Sequence, residues 1–147
     1  MARVVCIKDG VVVNVIVIDD IDKLSDDAVI GVDENGNFIK KRECDLFVES
    51  EVGSFHDRYE HGVGFYRFHG VKERIQEFKD LKDIKVAVVC EGKVKRVLHV
   101  RDYMDFPKTI EIDRKVLSKD EVEFYEGEDL EPGDLCLGGK VYKFVGK

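Results

Sequence analysis

Three of the four histidines, His56, His61 and His69, lie in one stretch of the chain with Asp57 beside the first. A zinc hydrolase of the common helical type needs histidines four apart on one helix face, with a glutamate as base. Here His56 and His61 are five apart in a loop-like stretch, so no metal site is expected. Cys44 and His56 could form a nucleophile–base pair only by chance of folding, since nothing in their spacing joins them. Gly62-Val-Gly64 is too short to cradle a phosphate and no Gly-Lys-Ser/Thr follows it. Asp33-Glu-Asn-Gly-Asn37 superficially resembles a calcium loop. The glycine needed at loop position six is Phe38, and the glutamate needed at position twelve is Cys44, so a hairpin turn is expected instead. Asp19, Asp20, Asp22, Asp26 and Asp27 read as a solvated acidic loop. These residues predict no enzymatic activity, no cofactor and no metal.

The best binding patch is the basic strand carrying Lys93, Lys95 and Arg96, with His99 and Arg101 beyond it. Residues 85–115 hold 8 basic and 5 acidic side chains. Phosphate contact needs such a stripe, and Tyr103 and Phe106 nearby would suit stacking on single strands. The whole chain argues the other way. Its net charge is -7, with 12 basic against 18 acidic residues in 1–83 and 12 against 13 in 84–147. General nucleic-acid affinity is therefore not expected, and a solvated strand face is the favoured reading. A nucleic-acid or host-factor binding module using this face is the alternative function.

The chain has 147 residues, 44% hydrophobic and 37% charged. That is apolar enough to fold and long enough for one ordinary domain or two very small ones. The run Val11 to Ile18, interrupted by Asn14, is too short to cross a bilayer, and the start lacks a signal-peptide layout. The product is expected to be kept in the cytoplasm or built into a particle assembled there, with no membrane partner. Cys6, Cys44, Cys90 and Cys136 show no Cys-x-x-Cys spacing and are expected to be reduced, mostly buried thiols.

The elements that must position these residues repeat. With Gly10 placed over Gly92, residues 3–24 align without gaps on 85–106, and 5 of those positions are identical. Val52-Gly53-Ser54 before Gly64-Phe-Tyr-Arg-Phe matches Pro132-Gly133-Asp134 before Lys140-Val-Tyr-Lys-Phe. Asp9-Gly10 and Glu91-Gly92 each read as a two-residue hairpin turn. Such a loop sets Cys6 opposite Val13 and Val4 opposite Val15, with Val5, Ile7, Val12, Ile16 and Ile18 on the other face. Both faces of this hairpin are apolar and need cover. Strands are expected at 28–32, 44–55 and 63–69, a turn at Asn35-Gly36, and a closing hairpin from Asp134 to Val145 turning at Gly138-Gly139. Ser118-Lys-Asp-Glu121 matches a helix-start box, while Val122 to Tyr125 suits a strand, so that region stays open. Val71, Ile75, Phe78 and Leu81 recur at helical spacing, which predicts a helix over 71–83.

The predicted fold is thus mainly β (α+β): two tandem similar small β units, each a rolled sheet or small barrel, joined by one helix. The units are 1–69 and 84–147, with the connecting helix at 70–83. The stretch Lys8-Asp-Gly-Val-Val-Val-Asn-Val-Ile-Val-Ile-Asp19 resembles the opening of many short phage-encoded proteins. Glu131-Pro-Gly-Asp-Leu followed by Gly-Gly-Lys-Val-Tyr-Lys-Phe144 is similar to their ending. The usual aromatic-Asp-Gly element before the last strand is missing, and the duplication is not part of the pattern. The resemblance implies a structural, decoration or assembly protein of a bacteriophage particle, associated with tail or capsid. It assigns no site residue. The Pro-Gly-Asp turn also resembles those of small SH3-like barrels, which implies a compact β unit and no particular function. The double-sided hairpin predicts partners, either other particle proteins or further copies in a homo-oligomer.

Overall fold

The structure, a computed structural model, describes residues 1–33 and 35–147. The Asp33–Asn37 turn therefore includes one residue, Glu34, outside the described set. The fold is mainly β and its sheets are antiparallel and open, not closed into a barrel. Helical geometry is confined, among the described residues, to four three-residue 3-10 turns. The chain forms two compact units: Met1–Phe68 with Phe144–Lys147, and His69–Lys143.

The first unit opens with the hairpin of β1 (Ala2–Lys8) and β2 (Val11–Ile18). Asp9 and Gly10 sit at φ 52° and 75°, the left-handed pair that a two-residue turn requires. The register departs from the simple expectation. Ile7 faces Val12, but Cys6 faces Asn14 and Val4 faces Ile16, because a β-bulge inserts Val13 as an extra residue. A one-residue slip exchanges faces. Val15 therefore joins Val5, Ile7, Val12 and Phe65 in one cluster, while Ile16 joins Cys6, Val13, Ile30 and Ile39 in another.

Cover for both faces comes from inside the unit. A small hairpin, β3 (Val29–Val32) with β4 (Phe38–Lys40), lays Ile30 and Ile39 over Cys6 and Val13. Gly31 makes this approach possible, since a Cβ there would stand 2.7 Å from the Val13 carbonyl oxygen. The Asn14 side-chain amide donates to the Ile30 carbonyl at 2.6 Å and pins the bulge to its cover. On the opposite face Phe65 is fully buried, with Val52, Tyr59 and Val145 around it. The strands β5 (Leu46–Glu49), β6 (Arg58–Glu60) and β7 (Gly64–Val71) complete the set. β5 pairs with β1, β6 joins β2 at Val11–Arg58, and β6 pairs with β7.

The second unit has its own hairpin, β8 (Lys82–Cys90) with β9 (Lys93–Asp102), turning at Glu91 and Gly92 with φ 52° and 80°. A bulge opposite Val88/Val89 inserts Lys95. A covering hairpin, β10 (Thr109–Ile112) with β11 (Lys115–Ser118), brings Ile110 and Ile112 onto Val86, Val88 and Val100. β12 (Glu123–Glu126) pairs with β8, and β13 (Leu135–Leu137) pairs with β14 (Lys140–Gly146). The open choice at Ser118–Glu121 resolves into both elements. The Ser118/Glu121 box holds a single 3-10 turn, Lys119–Glu121, and a strand follows.

The expected helix at 70–83 is absent. β7 runs to Val71, Arg74 makes an isolated bridge to Tyr125, and β8 starts at Lys82. Ile75, Phe78 and Leu81 still share one apolar target, the cluster around Phe106 and Phe124. A chain lying across the margin of a sheet can bury every third residue as a helix can. Backbone bonds to the sheet, such as Ile75 N–H to Phe124 O at 2.7 Å, replace those of a helical turn. Val71, the first residue of the supposed stripe, is 69% exposed.

Candidate functional site

The most deeply placed carboxylates serve the architecture. Asp57 and Asp134 are the buried charged residues among those described. In the first unit the Asp57 Oδ2 accepts the Ser54 amide at 2.9 Å. Arg67 donates Nε to its Oδ1 at 3.1 Å and Nη2 to its Oδ2 at 3.0 Å. In the second unit the Asp134 Oδ2 accepts the Glu131 amide at 2.9 Å and Lys143 Nζ at 2.6 Å. Each carboxylate closes a loop whose own backbone is tied to the hairpin: Val12 N–H reaches Asp57 O, and Val94 N–H reaches Asp134 O, both at 2.8 Å. A buried carboxylate that accepts from a loop amide and a cation is a staple. The sequence named Asp57 only as a neighbour of His56 and Asp134 only within the repeat and its closing hairpin, with a buried role for neither. The available signal was the shared spacing of Ser54-x-x-Asp57 and Glu131-x-x-Asp134.

The histidines are dispersed. His56, at φ 71°, stacks on Phe55 with ring centroids 3.9 Å apart. His61 lies edge-on to Tyr59. His69 belongs to the second unit and bonds Asp129 at 2.9 Å. Among the described residues no three His, Cys, Asp or Glu side chains are grouped to hold a metal. The cysteines are unpaired. Burial, then the neighbouring Cys44, pushes the Cys6 thiol up to about 11; burial, then Asp45, does the same for Cys44. Neither is a poised nucleophile, because the thiolate is the reactive form.

The basic strand is partly neutralised. Lys95, the bulge residue, lies 3.4 Å from Asp113 at the tip of the β10–β11 hairpin. Lys93 is half-buried and Arg96 is exposed on β9. A cleft of about 340 Å³ in the first unit is lined by Lys8, Arg58 and His56 together with Asp9 and Asp33. Its charges are mixed, and the Asp33 carboxylate already accepts the amides of Asn35 and Asn37, each at 2.9 Å.

The remaining feature is a strand edge. β5 has one hydrogen-bonded neighbour among the described strands, β1, and its other edge is open. Leu24 and Phe47, packed at the margin of the Cys6–Val13 cluster, are only half-buried. β12 in the second unit is placed differently. Its edge is bonded by Arg74 and Ile75, and Phe124 on it is 2% exposed. An open edge offers unpaired N–H and C=O groups in a row, which is a template for another strand.

Comparisons of the chain with protein families, with curated proteins and with solved structures find no match.

Proposed function

We propose that the protein is an internally duplicated, non-enzymatic structural or assembly component of a bacteriophage particle, acting by docking. The observation that carries the docking role is the open β5 edge beside half-buried Leu24 and Phe47, in a unit whose buried carboxylate is a staple. Attachment to a particle rests on the likeness of residues 8–19 and 131–144 to short phage-encoded proteins.

The duplication draws support from inside each unit. The bulges fall at Cys6/Ile7 and Val88/Val89, positions that the sequence alignment had already paired. Asp20 caps a 3-10 turn by accepting the Asp22 amide, and Asp102 caps one by accepting the Met104 amide. A covering hairpin, a 3-10 turn and a strand returning to the first strand then follow in both. Tyr59 N–H bonds Gly10 O and Cys136 N–H bonds Gly92 O, each at 2.8 Å.

The test is location. Phage particles purified by density gradient from the source culture, probed with an antibody to this chain, should retain it after a salt wash. Its confinement to the soluble fraction would overturn the particle reading.

A further inference from the structure

We propose that the open edge of β5 binds an extended segment of a partner protein, one carrying a lysine and apolar residues, by strand addition. This deepens the docking reading above and rests on the correspondence of the two units. In the second unit the strand matching β5 is β12, since β5 pairs with β1 as β12 pairs with β8. Val4 faces Glu49 and Val86 faces Glu126; Cys6 faces Phe47 and Val88 faces Phe124. Against the outer edge of β12 lies the segment 72–78, bridged to it at Arg74–Tyr125. Ile75 N–H bonds Phe124 O at 2.7 Å, and Lys72 Nζ meets Glu126 at 2.7 Å. Arg74 lies 3.7 Å from Glu123, and Ile75 and Phe78 cover the cluster that holds Phe124 and Phe106.

In the first unit the same places are uncovered. Ser50 N–H turns inward to Arg3 O, so by alternation the backbone groups of Phe47 and Glu49 face the open side. Phe47 and Leu24, which match Phe124 and Phe106, are half-buried where their counterparts are buried. Glu49 is exposed, and Asp45 and Glu51 flank the strand. Backbone pairing supplies affinity in such additions, and side-chain pockets select the occupant. The acidic flank selects a segment with a cation placed as Lys72 is, and apolar residues to cover Phe47 and Leu24. It selects against a second copy pairing β5 to β5, because antiparallel copies would bring Glu49 and Glu51 against like charges.

The probe is a capped synthetic peptide with the sequence of residues 72–81, added to the ¹⁵N-labelled full chain. Saturable shifts are expected at the Phe47 and Glu49 amides below about 1 mM peptide, weakening as salt rises. Glu49→Lys should weaken binding at least tenfold, and a peptide carrying Lys72→Glu should restore it on that variant. No saturable shift, shifts centred on Phe124, or indifference to Glu49→Lys would overturn the proposal. Concentration-dependent self-association that the peptide competes away would assign the edge to a second copy and overturn the choice of partner. A peptide that fails while the chain remains on particles removes this inference alone. Binding without particle association removes the particle reading and leaves the edge assigned.

Discussion

Arg67 grips the carboxylate of Asp57 with two nitrogens, Nε at 3.1 Å and Nη2 at 3.0 Å, while the same carboxylate holds the Ser54 amide. Asp57 is 2% exposed and Arg67 half-exposed, so removing Asp57 strands the Ser54 amide and leaves the guanidinium to water. Asp57→Ala should lower stability by about 1–3 kcal/mol. Asp57→Asn keeps an oxygen for Ser54 and should lose about 1 kcal/mol. Urea unfolding distinguishes them, and equal losses would count against the staple.

The β10–β11 turn places Asp113 and Arg114 at φ 51° and 67°. Arginine there bears a left-handed conformation that glycine adopts freely. Arg114→Gly should raise stability by about 1 kcal/mol, read as a higher melting temperature. A loss would mean that the Arg114 side chain contributes more than its backbone costs.

Phe78, Phe106 and Phe124 form a three-ring cluster, with centroids 4.7, 5.4 and 4.9 Å apart. Phe78→Ala should cost about 3 kcal/mol. Val71→Ala should be close to neutral, because Val71 is 69% exposed. Equal costs would restore the helical stripe that the structure replaces.

Asp129 is held down at about 2 by the Lys72 ammonium first and by His69 second, and the same ammonium lowers Glu126. A carboxylate lowered in the folded state stabilises fully above its ordinary range, near pH 4, and loses that contribution as pH falls toward 2. Lys72→Met should therefore flatten the acid limb of the stability curve over that interval. An unchanged acid limb would show that these exposed groups contribute nothing. Screening by solvent keeps the expected effect small.

Thiol reagents at pH 8 should leave Cys6 and Cys44 unmodified in the native protein, since burial raises both to about 11. Denaturation should expose all four cysteines. Fast native labelling of Cys6 would mean that the β3–β4 cover opens readily.

The hairpins were legible in the sequence because Asp9-Gly10 and Glu91-Gly92 state their turn type locally. The bulges were not, because an inserted Val13 between other valines leaves alternation unmarked. The stretch from Val71 to Leu81 misled for the opposite reason. Its spacing was real, and Ile75, Phe78 and Leu81 do share a core, but three-residue spacing does not tell a helix from a chain laid across a sheet. β6 escaped notice because three residues hold too little pattern, and Asp57 looked like a loop charge until its partners were placed. The β5 edge could not be read at all, since vacancy beside a strand is a property of topology.

The first unit is interrupted in sequence. Phe144–Lys147 belong to it, with Phe144 5.5 Å from Tyr66, Val145 packed in its core and Ser50 Oγ bonded to Lys147 O at 2.8 Å. The second unit, His69–Lys143, is continuous. On the ribosome the order of completion is thus the reverse of the order of synthesis. The unit begun first cannot take up its last four residues until the one begun later has been synthesised.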